Sequence, residues 1–349
     1  MKNVAELVER LSEHHARTRE TPLFNPVFQL GLDLSRALEA GETDLANIES
    51  LVAELECESM QSRATRLRRL VAPVAPQSNR AALSASLAAP DFASLRATWE
   101  RPHLHAVFTA HPTFLLTPVQ SGAVAQAASS DDRIDKAVCV VSSSRPAITL
   151  DHEHECAIQA IANAQDARDS IVREVLEHAS AQWPDDWRNL SPLPFRFASW
   201  VGYDMDGRTD IKWYTSIQYR LAEKARRLVR YVAALEAIDP AHGLLDQLRP
   251  ALDYAGERAA DFAADLSSPE ALSDAANRLT ADHPHKLLSL ASLIAVLEEE
   301  AQASETPRAI ELKTLAAAMR ADGLGMGWIH FRVNSSQLHN AIRRRIDPD

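Results

Sequence analysis

Three short apolar stretches, kept apart by long helical patterns, constrain this sequence most. They are His105-Ala106-Val107-Phe108-Thr109, Phe195 to Val201, and Trp328-Ile329-His330-Phe331-Arg332-Val333. Each is too short for a helix and rich in residues that suit a strand. Each also runs into polar chemistry. The first stops at His111-Pro112, where proline biases the preceding residue away from helix. The second leads into Gly202-Tyr203-Asp204-Met205-Asp206-Gly207, and the third into Asn334-Ser335-Ser336. Strands that end in polar loops and alternate with helices are how a (β/α) barrel presents an active site, although three strands do not close one.

The intervening sequence reads as helix. Residues 26–75 hold two helical patterns, the second with Leu45, Ile48, Leu51, Val52 and Leu55 behind Thr43-Asp44 as a cap. Residues 72–92, with Pro73, Pro76 and Pro90 among alanines and serines, suit a connecting segment with a short helix. Further helical patterns cover about 151–181, 211–238, 245–266 and 285–303, and another opens at Leu312 and breaks at Gly323, Gly325 and Gly327. A last basic helix covers Leu338 to Ile346. The fold class expected is mainly α with α/β-barrel elements, three short strands among many helices. The expected organisation is an amino-terminal helical region over 1–95, then the first part of an α/β barrel with inserted helices over 96–349.

Composition narrows the function. A formal net charge of −11 argues against a general binder of nucleic acid or of an anionic membrane, both of which need a positive field. An anionic substrate would need locally gathered arginines. Cys57, Cys139 and Cys156 are odd in number and scattered, so a disulfide framework is not expected and a reducing compartment, by default the cytoplasm, is favoured. No apolar run approaches the roughly 20 residues that span a bilayer, and Met1-Lys2-Asn3-Val4-Ala5-Glu6 does not open a secretion signal.

His111 is the one group placed for proton transfer: an imidazole on a strand-end loop held by proline titrates near neutrality. Its segment, Phe108-Thr109-Ala110-His111-Pro112-Thr113, resembles the Thr-Ala-His-Pro-Thr-Glu signature of phosphoenolpyruvate carboxylases. Two more matches follow in order. Ser199-Trp200-Val201-Gly202-Tyr203-Asp204-Met205-Asp206-Gly207 is similar to the family's Ser-Trp-x-Gly-Gly-Asp-Arg-Asp-Gly, and Ile329-His330-Phe331-Arg332 stands where the family has Asp-Ile-Arg.

The resemblance implies condensation of phosphoenolpyruvate with bicarbonate to oxaloacetate and phosphate, assisted by Mg²⁺ or Mn²⁺, in a cytoplasmic homo-oligomer that is commonly a tetramer. It gives His111 the proton and the positioning of a carboxyphosphate intermediate, and Arg332 a phosphate or carboxylate. Trp200, Asp204 and Asp206 shape the same pocket.

The sequence also departs from the family. Phe114 replaces the signature glutamate, the paired arginines that follow are replaced near Thr117 and Pro118, Met205 replaces an arginine, and His330 replaces an aspartate. Arg208 is placed to restore the charge missing at Met205. Family members run to more than twice this length, and their metal ligands and catalytic lysine fall in the part this sequence does not cover. The reading is therefore the amino-terminal part of such an enzyme. One alternative is a non-catalytic helical scaffold derived from it. Another is a metal-dependent hydrolase built on His152 and Cys156 in Asp151-His152-Glu153-His154-Glu155-Cys156, four apart and so on one helical face. Two basic runs, Arg226-Arg227 with Lys224 and Arg230, and Arg343-Arg344-Arg345, read as solvated faces. The purified chain alone is expected to form no oxaloacetate from phosphoenolpyruvate and bicarbonate in a malate dehydrogenase-coupled assay, and turnover above background would reverse that expectation.

Overall fold

The computed structural model describes residues 3–21, 24–71, 76–109, 116–130, 132–139, 149–204, 211–332 and 334–346. In chain order the elements are α1 (Val4–Arg17), α2 (Pro26–Glu39), α3 (Leu45–Val71), α4 (Pro76–Ser86), α5 (Phe92–Trp99), β1 (Leu104–Phe108), α6 (Pro118–Ser130), α7 (Lys136–Cys139) and α8 (Leu150–Gln182). They continue with β2 (Phe195–Ser199), α9 (Trp213–Ile238), α10 (Leu245–Ala263), α11 (Pro269–Thr280), α12 (Ala291–Ala303), α13 (Thr306–Asp322), β3 (Trp328–Ile329) and α14 (Ser335–Ile346). The chain is thus mainly helical with a small sheet. It forms two compact units, Met1–Ala82 with Pro112–Ala147, and Leu83–His111 with Ile148–Asp349.

In the first unit, α3 and α6 bury Met60 and Ala64 against Val124, Ala127 and Ala128. The cap read at Thr43-Asp44 forms: Asp44 Oδ1 accepts from the Asn47 backbone N–H at 2.8 Å, satisfying a donor at the start of α3. Cys57 of α3 and Cys139 of α7 form a disulfide with Cα atoms 4.9 Å apart. This corrects the expectation that the cysteines stay unpaired. The partners are 82 residues apart in sequence, so no local spacing betrays the bond, and the cysteine argument for a reducing compartment loses its premise.

The second unit holds the sheet, with parallel strands in the order β1-β2-β3. His105 pairs with Arg196 and Phe108 with Ser199, while Ala198 and Ser199 pair with Trp328 and Ile329. Side chains alternate across a strand, so Ala106, Phe108, Phe195 and Phe197 point to one face, where Ile158, Ile161 and Ala162 of α8 and Met326 cover them. His105, Arg196, Ala198 and Trp328 point to the other. The layering of helix on parallel strand agrees with the sequence reading, but the sheet is open. The third strand is shorter than its apolar stretch: ladder pairing covers two residues, and Arg332 rejoins only through an isolated bridge to Asp204.

Helices α8, α9 and α13 meet around a buried ionic cluster. Arg168 of α8 donates from Nη1 and Nη2 to the two oxygens of Asp322 at 2.7 and 2.8 Å, and Arg227 of α9 approaches the same carboxylate at 3.2 Å. Arg227 also donates to the Gly325 carbonyl at 3.1 Å, and the Tyr231 hydroxyl to the Gly323 carbonyl at 2.8 Å. Arg227 is 1% exposed, which corrects its reading as part of a solvated basic face. Consecutive arginines on a helix point in different directions. Arg226 pairs with Glu155 at the surface, while Arg227, four residues from Glu223 and from Tyr231, follows the buried face.

The cluster fixes the approach to β3. Gly323 closes α13 at φ 60, and Gly327 lies at φ 128, where an added Cβ would sit 2.7 Å from the Phe197 carbonyl oxygen. Only glycine admits both that backbone conformation and that closeness to β2.

Removing one partner of a buried, hydrogen-bonded ion pair leaves a charge without compensation, at a cost of about 3 to 5 kcal/mol. Asp322→Leu is expected to lose that much in urea unfolding, since it leaves Arg227 without a carboxylate and Arg168 with Asp169 alone; a loss below about 1 kcal/mol would show that the cluster is not what joins these helices.

Candidate functional site

The carboxyl end of β2 turns sharply through Trp200-Val201-Gly202-Tyr203-Asp204. The backbone N–H groups of Tyr203 and Asp204 donate to the Trp200 carbonyl at 2.8 and 3.0 Å, and Gly202 adopts φ 87. A Cβ at Gly202 would overlap the Tyr219 ring. The Ser216 hydroxyl of α9 donates to the Gly202 carbonyl at 2.7 Å.

Beneath the turn lies a network between α8 and α9. The Tyr203 hydroxyl donates to Glu223 Oε1 at 2.6 Å, and His154 Nε2 meets the same oxygen at 3.0 Å. The Tyr219 ring stacks on His154 with centroids 4.0 Å apart, and its hydroxyl donates to Asp151 Oδ1 at 2.6 Å. Burial opposes ionisation of Glu223, but the hydrogen bonds from His154 and Tyr203 and the charges of His154 and Arg220 outweigh it, holding the carboxyl below its ordinary value. Burial, and then the Glu223 charge, push the Tyr203 hydroxyl far up, so it remains a donor.

On this platform three of the residues read from the sequence come together. The Arg332 backbone N–H donates to the Tyr203 carbonyl at 3.3 Å, and its Nη1 donates to Asp204 Oδ2 at 2.9 Å. Its guanidinium lies 5.6 Å from the centre of the Trp200 ring. The Arg332 side chain is 53% exposed and that of Asp204 19%, so the cation faces outward from a seated carboxylate. His111, Asp206 and Arg208 lie outside the described residues, as do Phe114 and Met205.

The segment Asp151 to Cys156 behaves as the first turns of α8, capped by Thr149. His154 is buried in the platform. His152 Nε2 and Cys156 Sγ do share a face, 3.6 Å apart. Burial, and then the Glu155 charge, raise the Cys156 thiol, which disfavours the thiolate that metal binding needs. Among the described residues no three histidine, cysteine, aspartate or glutamate side chains gather into a ligand set, so no step here is derived through Mg²⁺ or Mn²⁺. His103, which alternates with His105, turns away to the Thr98 carbonyl.

Sequence reading missed the platform itself. Its signal is faint but present: Asp151 and His154 are one helical turn apart, as are Tyr219 and Glu223, two polar pairs on helices otherwise read for their apolar faces. No family model matches the chain, and no curated protein matches it.

The depressed Glu223 carboxyl stabilises the fold fully above its ordinary value of 4.5, and that contribution is lost as pH falls from there through the folded value. Glu223→Gln keeps the shape and removes the charge. It is expected to cost about 1 to 3 kcal/mol at pH 7 and to flatten the acid limb of a stability-against-pH curve. An unchanged acid limb would show that Glu223 does not carry it.

Proposed function

We propose that the chain is the amino-terminal part of a phosphoenolpyruvate carboxylase, contributing the first barrel strands and one anion-receiving edge of the site. The observation that carries this reading is the convergence of Trp200, Asp204 and Arg332, from two separate motifs, at the carboxyl ends of adjacent parallel strands. That edge is where barrels of this kind hold their substrates.

Arg332 is suited to the phosphate or carboxylate of phosphoenolpyruvate. Its planar fork matches an oxyanion, Asp204 holds it in register, and the Trp200 ring walls one side against water. Among the described residues Asp204 engages the fork through Nη1, and the half-exposed guanidinium presents its remaining donors to a ligand. His111, three residues after β1 in sequence, is assigned the proton in this reading. As bicarbonate attacks phosphorus and the P–O bond to the pyruvate enolate breaks, its imidazole would donate a hydrogen bond to a carboxyphosphate oxygen; as the C–O bond to phosphate then breaks, it would accept the carboxyl proton, leaving CO₂ for the enolate and inorganic phosphate as the leaving group. Mg²⁺ or Mn²⁺, which this reading implies, would be held by ligands in the part of such an enzyme that this sequence does not cover, and would supply charge neutralisation.

The test is binding. Titration of phosphoenolpyruvate into the purified chain, read by calorimetry, is expected to saturate, and Arg332→Gln to weaken it by about thirtyfold, the worth of a charge-assisted hydrogen bond of about 2 kcal/mol. No saturation in the wild type, or equal affinity in the variant, would count against the proposal.

A further inference from the structure

The face of the sheet opposite α8 carries a second group of basic side chains that the strand-end site does not use. His105 Nε2 and His330 Nε2 lie 3.0 Å apart. Their ring planes are within 10° of parallel and the centroids 5.1 Å apart, so the rings meet edge to edge, nitrogen facing nitrogen. One proton lies between them, because two bare lone pairs or two N–H groups would repel at that distance. Arg196, paired in register with His105, places its guanidinium 4.8 Å from the centre of the Trp328 ring. His105 meets the same ring edge-on at 6.5 Å. Ala198, on this face and level with Trp328, is fully buried, and its small side chain leaves room for the larger ones to meet.

Among the described residues no carboxylate pairs with these groups. Among the described residues Arg196 makes no ion pair, although it is half-buried, a state in which a guanidinium ordinarily has an anionic partner. The charged groups that act on His105 are His330 and Arg196; burial first, and then these two, hold its pKa below the ordinary value. A metal cation at the histidine pair would meet the repulsion of Arg196. An anion would relieve it, and would draw in a second proton so that both imidazoles become donors.

We propose that Arg196, His105 and His330 form a binding site for a small tetrahedral oxyanion of the phosphate and sulfate class, walled on one side by the Trp328 ring. β1 and β2 supply one donor each and the residue after β3 the third, and the indole excludes water from one flank, which strengthens the charge interactions. The site lies in mid-sheet and does not rest on the assignment of Arg332.

Inorganic sulfate is the suitable probe, since it stays doubly charged across the histidine range. Titrated into the whole chain and followed by calorimetry and by the imidazole resonances of His105 and His330, it is expected to saturate and to bind about tenfold more tightly at pH 6 than at pH 8. Arg196→Gln should abolish the sulfate-driven movement of both imidazole resonances, and Arg196→Lys should restore part of it. If Arg196→Gln does not fold, by circular dichroism, the movement of both wild-type imidazole resonances with sulfate decides the matter. The proposal is overturned if sulfate does not saturate, if the movement of the resonances is lost with Arg332→Gln instead of Arg196→Gln, or if Zn²⁺ moves the two resonances while sulfate does not.

Discussion

A single carboxylate, Asp322, holds the second unit in register. It sits at the last turn of α13, takes both nitrogens of the Arg168 fork and shares an oxygen with Arg227, so three helices are tied at one buried point. The apolar surfaces of those helices would pack in several rotations at similar cost, since hydrophobic contact has no direction. A bidentate fork does have direction. By fixing α8 and α9 against the end of α13, the cluster also fixes where the chain emerges toward β3, and therefore which residue of the third strand reaches the carboxyl end of the second.

The strand-end corner inherits that order. Arg332 meets Asp204 and Trp200 because β3 enters beside β2 through Gly327, and because the turn after β2 rests on Tyr203, Glu223 and His154. The exposed cation is thus mounted on buried, fully hydrogen-bonded groups. Such mounting keeps an anion-binding side chain within the narrow geometry that recognition needs, with less freedom to lose on binding.

Much of this was legible in the sequence where periodicity or local chemistry decides. The long helices α3, α8, α9 and α10 announce themselves by apolar spacing, α3 also by its Asp44 cap, and the three strands by short apolar runs that end in polar residues. Trp200, Asp204 and Arg332 were legible through motif order. What was not legible depends on partners far apart in the chain. Arg227 looks like any member of a basic run until Asp322, 95 residues later, is seen to neutralise it. His154 looks solvated until Glu223 and Tyr203 are placed against it. Cys57 and Cys139 lack any spacing that marks a bond. The short α5 and α6 escaped because their apolar positions give a weak period.

The bond between Cys57 and Cys139 has a topological consequence. The chain leaves the first unit after Ala82, contributes β1 to the sheet of the second, and returns at Pro112, all inside the loop that the disulfide closes. A strand locked by parallel pairing is therefore one arc of a covalent ring whose remaining arc belongs to the other unit. A protease that cuts this ring once, at either crossing, releases nothing: both ends stay attached through sulfur. Freeing the strand takes a cut at both crossings, whereas in an ordinary pair of tandem domains a single cut in the linker divides the chain.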